Sequence, residues 1–350
     1  RPSPGARVFL FGLRGKVTLA LFDAQSLAIL GAVVSVFAVI AAGALARRAN
    51  WLTHEADESL LRLLINVLLP CLIFASIVGN DELRKPANIV WPPIIGFATI
   101  ALGIGLARLT APLAVPGRLT EQRTFALSAG LHNFGYIPLP LIALLLDGPA
   151  AKSTTAVLLV HNVGIEVGLW TLGVLAITGD MGIAALKRVI NAPLIAIVVA
   201  LTANFAGVHD WLPEVLVNAI HMIGESAIPL GIILIGATIA DHMTRQRGRL
   251  GVRVIGGACA LRFALMPAVM MLVAATLPDA VASVELRRVI VLEAAMPAAV
   301  FPIVMARHYG GDVPTALRVA LGTSVIALLA TPLWIKAGAG WAGLTLVNGL

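Results

Sequence analysis

The sequence predicts an all-α, polytopic membrane protein with ten transmembrane helices in two inverted repeats of five. Three observations lead to this fold class: a composition poor in charge, ten apolar stretches of spanning length, and a repeated order of spans. Hydrophobic residues make up 59% of the 350 residues and charged residues 12%, with a mean hydropathy of +0.94. Soluble domains carry roughly 25% charged residues, so this chain is expected in a membrane.

The apolar stretches define the elements in order. A helix needs about 20 apolar residues to cross a bilayer. The predicted spans are residues 28–46, 58–79, 89–108, 124–146, 153–178, 189–207, 215–240, 252–277, 287–308 and 314–337. Residues 1–27 are excluded from the fold as a segment that is disordered or lies at the membrane interface, because Arg14 and Lys16 interrupt its apolar run.

Basic residues concentrate on one side of the predicted spans. Fourteen Lys and Arg residues belong to the connections after odd-numbered spans and six to the other side. Because such residues remain in the cytoplasm, both termini are expected outside. The net charge of +7 favours anionic lipid over nucleic acid, since no soluble domain is predicted. Cys71 and Cys259 lie in apolar runs and suggest packing, and no motif indicates a metal site or an enzyme.

The two halves of the chain have the same order of spans. A shift of 159 residues aligns Pro70 with Pro229 and Pro138 with Pro297. Because each half holds an odd number of spans, the second repeat is predicted to cross the membrane in the opposite sense. The predicted repeats are residues 28–178 and 189–337.

Helix-breaking residues interrupt the fourth and ninth predicted spans. The fourth contains Asn133, Gly135 and Pro138, and the ninth contains Pro297 and Pro302. Proline removes a backbone donor and clashes with the preceding turn, so unwound backbone is expected. The helix start after such a break carries free amides and a partial positive charge, which suits an anion. The alternative is that these prolines only kink packed helices.

Several polar residues lie in apolar surroundings near these breaks. Asn133 is expected either to bind a substrate oxygen or to cap the broken helix. His132 either titrates or is satisfied by a neighbouring helix. Glu293, one turn before Pro297, either carries a coupling proton or cation or is a neutral or capped carboxylate near the membrane boundary. Arg262 either faces an anion or Glu293, or pairs inside the bundle.

The fifth predicted span adds a polar pair. Asn162 and Glu166 are four residues apart, so they share one helical face. They either line a polar pathway or hold helices together. The residues predicted to bind substrate are Asn133, His132, Gly135, Pro138, Pro297, Ala298 and Asn162, and those predicted to couple or carry a proton are Glu293 and Glu166.

The sequence resembles the auxin efflux carrier family, within the superfamily that includes bile-acid sodium symporters. Three stretches carry the resemblance: Leu286–Tyr309, Asn133–Pro140 and Asn191–Ala196. The resemblance implies a scaffold part, a transport part and a crossing of broken helices four and nine. The scaffold would comprise residues 28–79 and 189–240, and the transport part residues 89–178 and 252–337.

The resemblance also implies roles for residues. Asn133 would meet a substrate carboxylate, and Pro297 would mark the crossing in the ninth helix. This chain departs from plant members at His132, where they have proline, and at Glu293, where they have a neutral glutamine. The second departure favours coupling to a proton or sodium ion. No other cofactor is expected.

The sequence thus leads to the hypothesis of a secondary carrier in the bacterial inner membrane. Bacterial members of the family are associated with small organic acids such as malonate, so the expected partners are an organic anion and the lipid bilayer, with a homodimer through the scaffold helices. One rival is a cation/proton antiporter of related fold, which sodium dependence would reveal. Another is a membrane sensor or partner subunit, which would bind ligand without flux.

Overall fold

The computed structural model describes residues 24–180, 190–245 and 251–344. Within these ranges the secondary structure is helical, and strands of a sheet are absent. One isolated antiparallel bridge joins His132 to Ala298. The all-α class predicted from composition and span length is confirmed for this part of the chain.

Twelve helices occupy the described residues. They are α1 Ala24–Arg48, α2 His54–Ile77, α3 Ala87–Ala114, α4 Leu119–Gly130, α5 Pro138–Leu145, α6 Gly148–Thr178, α7 Ala192–Phe205, α8 Glu214–Asp241, α9 Val252–Thr276, α10 Val284–Ala294, α11 Phe301–His308 and α12 Val313–Trp341. Seven of them are long and apolar enough to cross a bilayer: α1, α2, α3, α6, α8, α9 and α12.

The remaining predicted spans contain shorter helices. The sixth is α7, which has 14 residues in the described part of the chain. The fourth and ninth are each split, into α4 with α5 and α10 with α11. The first helix begins at Ala24, so the exclusion of residues 1–27 was wrong for residues 24–27, which continue the apolar helix. Residues 1–23 lie outside the described residues.

The helices pack as two groups. In the first group α8 packs on α1 and α2, and α2 also packs on α7; in the second, α3 to α6 pack with α9 to α12, and α12 also contacts α1. Glycines bring the backbones together: Gly43 of α1 lies against the Ile233 backbone, and Gly164 of α6 lies against the Pro93 backbone. Small residues at these positions allow close van der Waals packing, which drives helix association in lipid.

A widened π-turn in α9 accommodates a proline and creates a polar contact. Residues Leu261–Leu265 form the π-turn, and Pro267 follows it. Pro267 cannot donate to Phe263, four residues earlier, because it lacks an amide hydrogen. The indole Nε1 of Trp334 donates to the Phe263 carbonyl instead, at 2.9 Å. The turn includes Arg262, whose side chain is fully buried.

An ionic cluster ties together the ends of three helices in the first group. Arg47 of α1 binds the carboxylate of Asp57 in α2, and its Nε lies 3.2 Å from Asp241 of α8. His54 Nδ1 lies 3.6 Å from Asp241. Since Arg47 is nine-tenths buried, the cluster fixes the relative positions of these helix ends.

Candidate functional site

Two non-helical segments cross each other at the centre of the second helix group. The first, between α4 and α5, pairs antiparallel with the second, between α10 and α11, at His132 and Ala298. The Asn133 amide donates to the Pro297 carbonyl at 2.9 Å, and the Ala299 amide donates to the Leu131 carbonyl at 2.9 Å. We call residues 131–137 and 295–300 the crossing. Each break therefore satisfies one amide and one carbonyl of the other, which apolar surroundings favour.

Side chains from three neighbouring helices hold the crossing, two of them on its second half. Thr323 of α12 accepts from the Ala298 amide at 3.1 Å, and Thr331 donates to the Ala295 carbonyl at 2.8 Å. Arg262 of α9 donates through Nη2 to the Met296 carbonyl at 3.3 Å. On the first half, Asn162 of α6 donates to the Phe134 carbonyl at 2.8 Å. These contacts fix the crossing in one conformation.

Asn133 is 5% exposed and caps α5. Its Oδ1 accepts from the Ile137 amide at 3.2 Å, which is the capping role considered from the sequence. Its Nδ2 donates to no residue that the structure describes and is not a fully enclosed atom. One end of the side chain thus serves the helix, and the other end presents two donors toward accessible space.

The backbone also presents donors at both helix starts. Among the described residues, no acceptor takes the amide hydrogens of Phe134, Gly135 and Tyr136 before α5, or those of Val300 and Phe301 before α11. Gly135 is half-buried, and a Cβ added there would meet open space. Because the crossing is antiparallel, the two helix starts lie on opposite sides of it. Each start combines unpaired amides with the positive end of a helix dipole.

A buried charged cluster adjoins the crossing. The Glu293 carboxylate lies 3.1 Å from His132 Nε2 and 3.2 Å from His161 Nδ1, and all three side chains have 0% exposure. The His132 contact has hydrogen-bond geometry, whereas the His161 contact is a close approach without that alignment. Arg262, also 0% exposed, interacts with this carboxylate at longer range. The prediction that Arg262 faces Glu293 agrees with this arrangement.

Pro138 and Pro297 occupy different places in the two interrupted spans. In the fourth predicted span, helix ends at Gly130 and resumes at Pro138, so unwinding covers both His132 and Asn133. Pro138 begins α5, whereas Pro297 lies inside the crossing. The starts of α5 and α11 are 163 residues apart, and those of α4 and α10 are 165 apart. The 159-residue shift therefore does not place Pro138 and Pro297 at equivalent points, because one begins a helix and the other lies in a break.

Asn162 and Glu166 make hydrogen bonds to different parts of the structure. Asn162 contacts the crossing, while Glu166 accepts a hydrogen bond from Asn191 Nδ2 at 2.5 Å. Asn191 also caps α7 by accepting from the Leu194 amide at 2.9 Å. Glu166 therefore connects α6 to the start of α7, across the two helix groups. Its structural role is to hold helices together, which was one of the two sequence interpretations.

His161 and Thr323 take part in the site although the sequence analysis did not select them. His161 is a titratable residue in an apolar run, which is the same signal that identified Glu293. Thr323 carries no such signal, because membrane helices commonly contain threonines that bond to their own backbone. Only the packing of α12 on the crossing reveals its role.

Two apolar grooves lie away from the crossing. A groove of about 720 Å³ is lined by residues of α3 and α9 including Arg253, and one of about 400 Å³ lies between α2, α7 and α8. Neither is lined by Asn133 or Glu293. Their walls are apolar and open to the lipid-facing surface, so lipid chains fit them better than a polar substrate.

In a comparison with known proteins, the same family model matches both halves of the chain. A family model described as "Membrane transport protein" matches residues 28–183 and again residues 180–335. An uncharacterized transporter of Methanothermobacter thermautotrophicus is 27% identical over 308 residues, which cover 86% of this chain and 96% of the relative. Each match to the family model includes one of the two interrupted helices.

Proposed function

Because this chain belongs to the membrane transport protein family that includes the auxin efflux carriers, we propose that it is a secondary carrier of small organic anions. The substrate class is mono- or dicarboxylates such as malonate, and the location is the bacterial inner membrane. Membership of the family, with seven long apolar helices, makes the chain a multi-pass membrane protein. It indicates transport rather than catalysis.

The observation that carries this proposal is the pair of helix starts beside the crossing. Free amides at residues 134–136 and 300–301 give each start several backbone donors. A carboxylate bound at a helix start gains about 0.3–1 kcal/mol from the dipole, and up to about 2 kcal/mol when partly buried. Such an arrangement selects anions without holding them as tightly as a lysine would, which suits a carrier that must release its substrate.

Asn133 completes the proposed carboxylate site. Its Nδ2 adds two donors next to the α5 amides, while its Oδ1 keeps the helix start in place. His132, Pro138, Pro297 and Ala298 shape the same site through the crossing backbone, and Gly135 leaves space for the ligand. Asn162 holds the Phe134 carbonyl through its hydrogen bond of 2.8 Å, so that oxygen is occupied by a donor of the protein.

Transport would proceed by movement of one helix group against the other. We assign α1, α2, α7 and α8 to a scaffold part and the remaining helices to a transport part, since contacts are denser within each group. If α4 with α5 counts as one membrane span and α10 with α11 as another, the chain has ten spans. These form two repeats that run through the membrane in opposite directions. Both termini would then lie outside, and scaffold helices would form a homodimer.

Uptake by reconstituted protein tests the proposal. Proteoliposomes would be assayed with radiolabelled malonate, a longer dicarboxylate and an aromatic carboxylate. Asn133→Asp keeps a cap acceptor but replaces the Nδ2 donors with negative charge, so uptake should fall at least roughly tenfold, equivalent to 1.4 kcal/mol of binding. Asn66→Ala is the matched control, because Asn66 is exposed and bonds only within its own helix.

Two results would contradict the proposal. Equal uptake by the wild type and Asn133→Asp would remove Asn133 from the substrate site. Specific binding of an anion without flux, measured by thermal shift and by uptake on the same preparation, would instead favour a sensor.

A further inference from the structure

We propose that His132, His161 and Glu293 form one proton-binding unit, and that the carrier moves one proton together with each anion. This inference rests on the proposed anion site at the crossing. It specifies the coupling ion and the direction of coupling, and it extends the coupling role from Glu293 to two histidines.

The three side chains come from three different parts of the chain. His132 belongs to the crossing, His161 to α6 and Glu293 to α10, and a single carboxylate oxygen lies within 3.2 Å of both imidazoles. Glu293 Oε1 and His132 Nδ1 are fully enclosed and have no hydrogen-bond partner among the described residues. The unit therefore has nitrogen and oxygen atoms without a partner, at which a further proton can bind.

The charges around this unit are few. Arg262 of α9 is the cation that interacts with Glu293, and it is fully buried. Helix α12 contributes the neutral hydroxyls of Thr323 and Thr331. On α6, Glu166 bonds to Asn191 instead, and on α10, Arg288 lies five residues from Glu293. With both imidazoles neutral, the buried Arg262 and Glu293 charges cancel.

An additional proton gives this unit, taken together with Arg262, a net positive charge. Such a charge is costly in an apolar interior unless an anion lies nearby. His132 immediately precedes Asn133, so an anion at the start of α5 lies next to the unit. The anion would stabilise the added proton, and the proton would stabilise the anion, because linkage is reciprocal. The proton comes from water, binds an imidazole nitrogen and returns to water on the other side.

The ligand set favours a proton over a sodium ion. Hard cations prefer several oxygen ligands, whereas this unit offers two imidazoles and one carboxylate. Imidazole is the side chain whose charge changes near neutral pH. Two imidazoles around one carboxylate oxygen thus suit a proton better than a hard cation.

Proton movement can be measured directly. Proteoliposomes would contain the pH dye pyranine, and malonate would be added outside without a pH gradient. We expect acidification of the lumen that depends on malonate, with close to one proton per labelled malonate taken up. In His161→Gln and Glu293→Gln, the proton signal per malonate should fall at least roughly fivefold. His209→Gln is the matched control, because His209 lies at a surface loop beside Asp210.

The outcomes separate this inference from the proposed function. Malonate exchange by wild type without a proton signal would overturn proton coupling and leave the carrier in place. Uptake driven by a sodium gradient, with no proton signal, would also overturn it. Absence of exchange for all three anions would contradict the carrier itself. If the variants fail to fold, the wild-type signal with and without malonate still decides the coupling.

Discussion

Replacing Arg262 with methionine removes a buried cation that faces Glu293, and its effect on stability can be estimated. Removing one partner of a buried charge pair costs about 3–5 kcal/mol, because the other charge remains buried without compensation. The lower half of this range is expected here, since Arg262 interacts with Glu293 at longer range than the histidines do. The 3.3 Å hydrogen bond to Met296 adds about 0.6 kcal/mol, the average in membrane interiors.

A double-mutant cycle isolates the charge term. Glu293→Gln alone leaves Arg262 uncompensated, so it should also destabilise by about 3 kcal/mol. The double variant Arg262→Met with Glu293→Gln buries no net charge, and its loss should be smaller than the sum of the single losses by at least about 2 kcal/mol.

Unfolding in mixed micelles with increasing detergent denaturant, followed by circular dichroism, gives these free energies. Arg253→Met is the matched control, because Arg253 lies on the same helix and is exposed, and it should change stability by less than about 0.5 kcal/mol. Single losses that add up in the double variant within about 0.5 kcal/mol would refute the charge pairing of Arg262 with Glu293.

Two further substitutions test the packing around the crossing in the same unfolding assay. Thr323→Val removes the acceptor of the buried Ala298 amide and should lower the free energy of unfolding by about 1–3 kcal/mol. Thr323→Ser keeps the hydroxyl and should retain most of the stability. Equal losses in the two variants would exclude this hydrogen bond as the cause. Gly164→Ala places a methyl group against the Pro93 backbone and should cost about 1–3 kcal/mol, while Gly105→Ala meets open space and should be neutral.

The sequence predicted the helices well because spanning length and apolarity are local properties. All ten predicted spans contain helix, and both interrupted spans were identified by their prolines. The exact limits of the breaks were not predictable. Pro138 begins a helix, where its missing amide costs nothing, and Pro297 lies in extended backbone, so one residue type marks two different places.

The charged cluster was predicted only in part, for a different physical reason. Glu293 and His132 were selected as isolated polar residues in apolar runs, and Arg262 was considered as a partner. His161 was not predicted, although it lies in an equally apolar run. Its contact with Glu293 joins residues 132 positions apart in the chain, and no spacing rule relates them.

The antiparallel crossing is closed by two hydrogen bonds between main-chain atoms, and it links the four half-helices α4, α5, α10 and α11. Its two closing bonds run from the amides of Asn133 and Ala299, so the joint itself is indifferent to which side chains stand at those positions, provided that neither is proline. Substitutions beside the joint can therefore change its surroundings while these two bonds persist. For a carrier that binds its substrate at the crossing, as proposed, substrate preference can change without any change in the backbone that holds the site.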